Sequence, residues 1–430
     1  ANSFNGMLPV DWIAPGLEVY FEIDPGQQHH ETNERNNRFP ETGMLVVDVK
    51  TVPDWPVTLV PVVYNSVTGD VSAANAHDWL QRTRSYEPVV GYSVEVHAPF
   101  AYVVGPTSPS LDASNGAGWE ALLYALQGLR AADGSPRHYI GVVHPGYGGG
   151  IAGMGFLRQP VAVVWDGSGR TDALAHEVGH NWGREHAPCG GVGYSDPGFP
   201  SAPEYSGGSI GVWGWDRFSN TYKSPASHTD FMGYCDPVWT SDYTYQGILN
   251  YRVARPYVVE TAPAEPVLLV RGVVGESGTR LDSAFHLLAP PSPPEKGEWR
   301  VEGFDAEGRL LLAQQFAAAR VAHRAESHFS FSLPLAEEQA ANLHRIIVRD
   351  AEGRVVAERK ASSGDAAAEP EIEEVAHGLK VAWGHGAWSS VLVRDASTGQ
   401  VVAIADNAPV VIGAPSRTIE SLPSSSSAPY

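Results

Sequence analysis

Apolar and polar residues recur along the first half of the chain in two different periods. Leu17–Ile23, Met44–Val49 and Val57–Val63 are rich in β-branched and aromatic residues and read as strands, with a polar loop, His29–Arg38, between the first two. Ala73–Arg84 and Trp119–Ala132 read as helices. In the second, Leu122, Leu123, Leu126 and Leu129 fall at three- and four-residue spacing and share one face. Tyr92–Ala98 and Tyr139–Val143 are the strands on either side of it. This order of strands and helices predicts an α/β layer with right-handed crossovers. Val161–Val164 adds a strand, Asp172–Trp182 a helix, and Asp242–Ala254 a further helix with Tyr245, Ile248, Leu249 and Val253 on one side.

Near Thr261–Pro266 the pattern changes to short alternating segments broken by turns. Three segments carry a similar phrase: Phe304–Arg309 (FDAEGR), Val348–Arg354 (VRDAEGR) and Val393–Gln400 (VRDASTGQ). Asp caps and Gly positive φ in such phrases mark hairpins. The expected organisation is an arm or the end of a preceding domain (1–15), an α/β domain (16–260), an all-β sandwich-like domain (261–365), and a second small β domain or a continuation (366–430). The last division falls near Gly364–Pro370, and Ser424–Tyr430 is expected to be disordered.

The size agrees with this division, since 430 residues exceed one compact core. Charged residues are 18% and hydrophobic ones 43%, a globular balance. The net charge of −20 argues against nucleic acid or an anionic membrane as partner. No apolar run approaches the roughly 20 residues that span a bilayer. Ala1 opens a polar segment, so a secretory leader is expected to be absent from this chain. The glycine-dense stretch Gly146–Gly155 lacks the lysine of a phosphate loop and no helix follows it directly, which excludes nucleotide binding there.

The chemistry concentrates in His176-Glu-Val-Gly-His180. On a helix, positions i and i+4 share a face, so two imidazoles reach one cation at about 2.0–2.1 Å. Glu177 then stands beside that cation, where its carboxylate can take a proton from a bound water. Gly183 ends the helix through the left-handed conformation glycine tolerates, and the turn brings His186 round as a third ligand. Three protein ligands leave a position for water, as catalytic zinc requires and structural zinc does not. A surface helix with scattered histidines is the plainer alternative, and five fixed positions in eleven speak against it.

At this point the chain resembles the metzincin clan of zinc proteases, whose pattern is an elongated histidine motif followed by a methionine turn. Over about residues 15 to 258 the resemblance implies a metzincin catalytic domain: a twisted mixed sheet with helices, the zinc helix and the methionine turn. The turn matches Asp230–Cys235 (DFMGYC), with Met232 as the apolar floor beneath the imidazoles or, alternatively, an ordinary core methionine. By the same resemblance Tyr234 donates a hydrogen bond to the tetrahedral intermediate, unless it is an aromatic packing residue. The rim of the cleft is expected in Gly153–Leu157, which would pair with an extended substrate. Gly207–Trp215 would border the primed side, and Trp182, Trp213 and Trp215 either shape subsites or simply pack.

Ala187 follows the third histidine where adamalysins carry Asp, astacins Glu and many matrixins Ser. With Asn181, this context is similar to gametolysin-like and mucin-cleaving secreted bacterial metzincins. If the motif folds as in the clan, Cys189 and Cys235 both lie near the metal, as a disulfide or as two buried thiols. A bond there implies an oxidising compartment and a secreted protein. The resemblance therefore implies Zn2+ as cofactor and a protein or glycoprotein as substrate. Calcium is common in such enzymes, but no Asp/Asn cluster here has a diagnostic loop spacing. The competing function is adhesion, or matrix or glycan binding, carried by the β region. Oligomeric state leaves no mark on the sequence.

Overall fold

A computed structural model describes residues 8–424 except 34, 106–107, 114, 147–149, 256–261, 276–277, 323, 361–369, 377, 384–388, 407 and 414–417. The expected division near Gly364–Pro370 lies mostly outside the described residues, as does the tail beyond Ser424. The molecule is mixed α/β, built mainly of strands, and is β-rich after residue 264. Among the described residues no helix is long and apolar enough to cross a membrane.

The first 50 residues stay outside the large sheet. The stretch expected as one strand, Leu17–Ile23, is two short pieces, Glu18–Val19 and Phe21–Glu22, paired with Leu45–Val46 and Arg38–Phe39. The large sheet begins at β1 (Trp55–Tyr64), where almost every residue is buried. A strand covered on both faces cannot alternate apolar with polar, which is why β1 reads as a continuous apolar run. The helix expected over Ala73–Arg84 is broken into Ala76–Trp79 and Gln81–Tyr86. Then come β2 (Tyr92–Val96), β3 (Phe100–Ala101), α1 (Ala117–Ala132), β4 (His138–Val143), β5 (Gly153–Leu157), β6 (Val161–Trp165), α2 (Arg170–Asn181) and α3 (Asp242–Ala254). Strands β2, β3 and β4 all run parallel to β1, β6 runs parallel to β4, and β5 runs antiparallel to β6.

The pleat divides two cores. Val60, Val62, Tyr139, Val143 and Val163 face α1, whereas Val57, Leu59, Ile140, Val142 and Val164 face α2. On α1 the leucine face packs as its spacing predicts, with Leu122, Leu123, Leu126 and Leu129 fully buried. The predicted inward face of α3 is different: Thr244, Ile248 and Arg252 are buried, and Tyr245 and Val253 are exposed. Arg252 is responsible, because its guanidinium donates to Pro53 O (2.7 Å) and Pro88 O and lies over the Trp182 ring.

The β-rich part does not stand apart from this layer. It contains β7 (Glu265–Gly275), β8 (Ala319–Val321), β9 (Ser327–Pro334), β10 (Ser390–Asp395), β11 (Val401–Asp406) and β12 (Ile419–Pro423). Strand β8 adds to β5 (Phe156↔Val321, Leu157↔Arg320), and β11 adds to β3 (Ala403↔Ala101). The result is one 15-stranded sheet that crosses the sequence boundary near residue 261 at both of its flanks. Alternation in β7 serves two cores: Val267 and Leu269 join the core of α1, while Leu268, Val270 and Val274 face a four-stranded sheet carrying Val301, Phe316, Ile346 and Val348. That pair of sheets is sandwich-like. Helix α1 is consequently covered twice, by β5 and β6 and by β9 and β11.

Candidate metal centre

Helix α2 carries the first two histidines one turn apart, and Gly183 (φ 86°) then redirects the chain. A residue with a Cβ would be strained at that φ. Past this turn His186 comes back over the helix. The His180 and His186 Nε2 atoms are 3.1 Å apart, and those of His186 and His176 are 3.0 Å apart. Among the described residues, this is the group of His, Cys, Asp and Glu side chains arranged to hold a metal ion.

The other ring nitrogens show why those atoms suit a cation. His176 Nδ1 donates to Phe231 O (2.9 Å) and His180 Nδ1 to Arg184 O (2.6 Å). A carbonyl can only accept, so in the neutral rings of His176 and His180 the proton sits on Nδ1 and Nε2 carries the lone pair. Those two lone-pair nitrogens each lie about 3 Å from His186 Nε2, an arrangement that a positive ion among the three stabilises. Imidazole nitrogens with carbonyl-bound second nitrogens are a donor set that fits zinc.

Glu177 is buried beside this group. Burial pushes its carboxyl up to about 8; a cation among the rings pulls it the opposite way. Two glycines of β5 make room for it. A Cβ at Gly153 would lie 2.7 Å from Glu177 Cγ, and one at Gly155 would lie 2.8 Å from Glu177 O. The approach of strand to helix therefore depends on having no side chain at either position.

The Asp230–Cys235 turn closes the floor. Buried Asp230 accepts from Met232 N (2.9 Å), Ser241 N (3.0 Å) and Ser241 Oγ, while Ser241 Oγ caps α3 by accepting from Thr244 N (3.0 Å). Met232 is fully buried against α2: a Cβ at Gly179 would lie 2.4 Å from its sulfur. Ala187 N donates to Met232 O and Tyr234 N to Cys189 O, so the chain after His186 is stitched to the turn. A disulfide, Cys189–Cys235, joins the same two segments, with Cα atoms 5.7 Å apart. The Tyr234 hydroxyl is 3.1 Å from His186 Nε2. Burial of that end, and then the Glu177 carboxylate, push the phenol up to about 12.

His176, Glu177, His180, His186, Tyr234 and Cys235 thus line one cleft of about 640 Å³, with Gly183, Cys189 and Met232 packed around it. The tryptophans singled out from sequence do not. Trp182 is buried against Trp55 and shapes no subsite. Trp213 and Trp215 are exposed beside Tyr222 and line a separate recess with Arg217 and Tyr245, so Val212–Trp215, the end of the Gly207–Trp215 stretch, borders that recess and not the histidine cleft. The expected rim, β5, is flanked by β8 at Phe156 and Leu157, leaving Gly153–Gly155 beside Glu177.

Sequence reasoning missed a buried polar chain behind the helix. Trp55 Nε1 donates to His138 Nδ1 (3.0 Å), His138 Nε2 donates to Asn181 Oδ1 (2.6 Å), and Asn181 Nδ2 donates to Phe156 O (2.8 Å) and Val161 O (2.9 Å). Asn181 thereby holds the β5–β6 turn against the end of α2. Burial, with lesser repulsion from Arg130 and Arg252, lowers His138 to about 3 against the pull of its Asn181 bond. Local spacing offers no signal for partners so far apart in sequence.

No protein-family model matches the chain, and no curated protein matches it. A crystal structure of Clostridium perfringens alpha-toxin, from avian strain SWCP, is similar over 42% of this chain and 36% of that chain, at 12% identity and a TM-score of 0.13. A likeness that slight carries no argument about fold or activity.

Proposed function

We propose that this chain is a secreted zinc-dependent endopeptidase of the metzincin type. The observation that carries the reading is the convergence of three Nε2 atoms beside the buried Glu177 carboxylate, at the floor of an open cleft. Zn2+ held by His176, His180 and His186 would supply a Lewis acid and a water of lowered pKa. Glu177 takes a proton from the attacking water as its oxygen bonds to the scissile carbonyl carbon. It delivers that proton to the amine nitrogen as the C–N bond breaks. The Tyr234 hydroxyl donates toward the carbonyl oxygen as negative charge develops there. Backbone at Gly153–Gly155 holds the substrate extended by strand addition.

The disulfide supports secretion, since such bonds persist in oxidising compartments. A glycoprotein or mucin substrate extends the reading along the family resemblance. It predicts that enzymatic deglycosylation of the substrate abolishes cleavage. Adhesion through the β region alone finds less support, because that region shares a sheet with β5 and lines the cleft.

The test incubates the parent and Glu177→Gln with unfolded proteins and O-glycosylated mucin-type proteins and maps new termini by mass spectrometry. The parent is expected to cut, to stop with chelator and to recover with zinc. Glu177→Gln is expected to keep one equivalent of zinc and lose at least about 10²-fold in rate. A zinc-loaded parent that cuts nothing, or a Gln variant that cuts as fast, would overturn the reading.

A further inference from the structure

The β-rich region supplies one wall of the histidine cleft. Strand β8 runs antiparallel along β5 as far as Val321, opposite Phe156. Continued in register it would pass Gly155 and Gly153; instead the chain turns, with Arg324 N donating to Val321 O, and returns as β9. Val321, Ala322 and Arg324 line the same cleft as Glu177 and the three histidines.

Arg320 and Arg324 are each fastened to the layer that bears the histidines. Arg320 Nη2 pairs with Glu185 Oε1 (3.0 Å), one residue before His186. Arg324 Nη1 donates to Asn115 O (2.7 Å), and its Nε is 3.5 Å from Glu120 Oε2 on α1. Gly116 admits the guanidinium closely: a Cβ there would lie 2.2 Å from Nη2. Arg324 keeps 27% of its side-chain surface exposed. It is the one lysine or arginine among the described residues lining the cleft, whose other charged residues are Asp172, Glu177 and Asp236.

Resting on the endopeptidase reading, we propose that the end of β8 is a stop on the substrate-holding edge, and that Arg324 makes it a subsite for an acidic group of the substrate. A peptide adding to β5 in the antiparallel sense of β8 has only Gly153–Gly155 to pair with. Its residues on the amino-terminal side of the scissile bond then meet Val321, Ala322 and Arg324 and leave the sheet there. A carboxylate or another oxyanion at that point faces the cleft's single guanidinium. Glu120 offsets part of that charge, so the preference is modest, roughly three- to fivefold in kcat/KM for Asp over Asn.

The experiment uses the full-length zinc-loaded protein and a peptide library randomised on both sides of one scissile bond. Parent, Arg324→Gln and Ala322→Glu are profiled, and thermal melts are recorded for each. Ala322→Glu keeps the Arg324 side chain and places a carboxylate beside it that repels or displaces an acidic group of the substrate. The expected result is an acidic preference confined to one amino-terminal-side position, reduced to near unity by Arg324→Gln and to discrimination against acid by Ala322→Glu. Should Arg324→Gln melt early, Ala322→Glu alone decides. Cleavage by all three proteins with the same preferences overturns the subsite and leaves the endopeptidase reading standing. A zinc-loaded parent that cleaves no library member overturns both.

Discussion

His138 gives the molecule a calculable weakness to acid. Its ring is fully buried and carries one proton, on Nε2, because Nδ1 accepts from Trp55. A second proton would go to Nδ1 and set donor against donor, with Arg130 and Arg252 nearby and Trp182 packed at the ring edge. The folded value of about 3 lies below the ordinary histidine value of about 6.5, so the unfolded chain binds the proton first as pH falls. Stability is then fully present above about 6.5 and is lost progressively as pH drops toward 3. At about 1.4 kcal/mol per pKa unit, the loss between pH 7 and pH 4 comes to about 3 kcal/mol.

His138→Gln isolates this contribution. Its amide oxygen can accept from Trp55 and its amide nitrogen can donate to Asn181, and it does not titrate. Urea denaturation followed by tryptophan fluorescence at pH 7 and pH 4 gives four stabilities. Carboxylates and the three clustered histidines are common to both proteins and cancel in the comparison. The parent is expected to be the more stable at pH 7 and to lose about 3 kcal/mol more than the variant on going to pH 4. Equal losses in the two proteins would refute the reasoning, since His138 would then titrate alike folded and unfolded.

Three further outcomes follow from the packing. Gly179→Ala drives a methyl into Met232 and should cost about 1–3 kcal/mol; it should also make bound metal easier to strip with a chelator, and an unchanged melt with unchanged chelator resistance would refute it. Replacing Cys189 and Cys235 together by serine opens a link between residues 46 apart and should cost about 4 kcal/mol in denaturant titration; a loss below about 1 kcal/mol would show the native turn already restrains the unfolded chain. Ending the chain at Ala262 strips β9 and β11 from α1 and β8 from β5, so the fragment should aggregate; a soluble fragment with a cooperative melt would refute it.

What the sequence made legible was local. His176 and His180 are one helical turn apart and Gly183 lies just beyond, so the spacing itself encodes the geometry. The three hairpins are legible for the same reason. Asp305 Oδ1 accepts from Arg309 N and Asp350 Oδ1 from Arg354 N, both at 2.8 Å, and Gly308 and Gly353 adopt the positive φ the turns require. Asp395 repeats the device, accepting from Ser397 N with Gly399 at φ 73°. Helix α3 marks the limit of such reasoning: its span could be read from the pattern, but its inward face depends on a buried arginine whose acceptors, Pro53 O and Pro88 O, lie far away in sequence.

The pairing of edges is the part no local pattern could carry. Strand β5 reads as an open rim because glycines interrupt it, and those glycines do lie against Glu177; its next two residues are taken by Val321 and Arg320. A strand's sequence specifies which residues point to each face, not which distant strand satisfies its outer hydrogen bonds. The same holds for β3 and β11, and for Asp133, whose carboxylate accepts from His97, Tyr139 and Val401 and so ties the end of α1 to β11. The pairings of Phe156 with Val321 and Ala101 with Ala403, and the Asp133–Val401 bond, join the layer bearing the histidines to the β-rich part. A chain read as successive domains therefore folds with strands of its later parts on both flanks of the earlier sheet, and the residues that shape the cleft come from either side of residue 261.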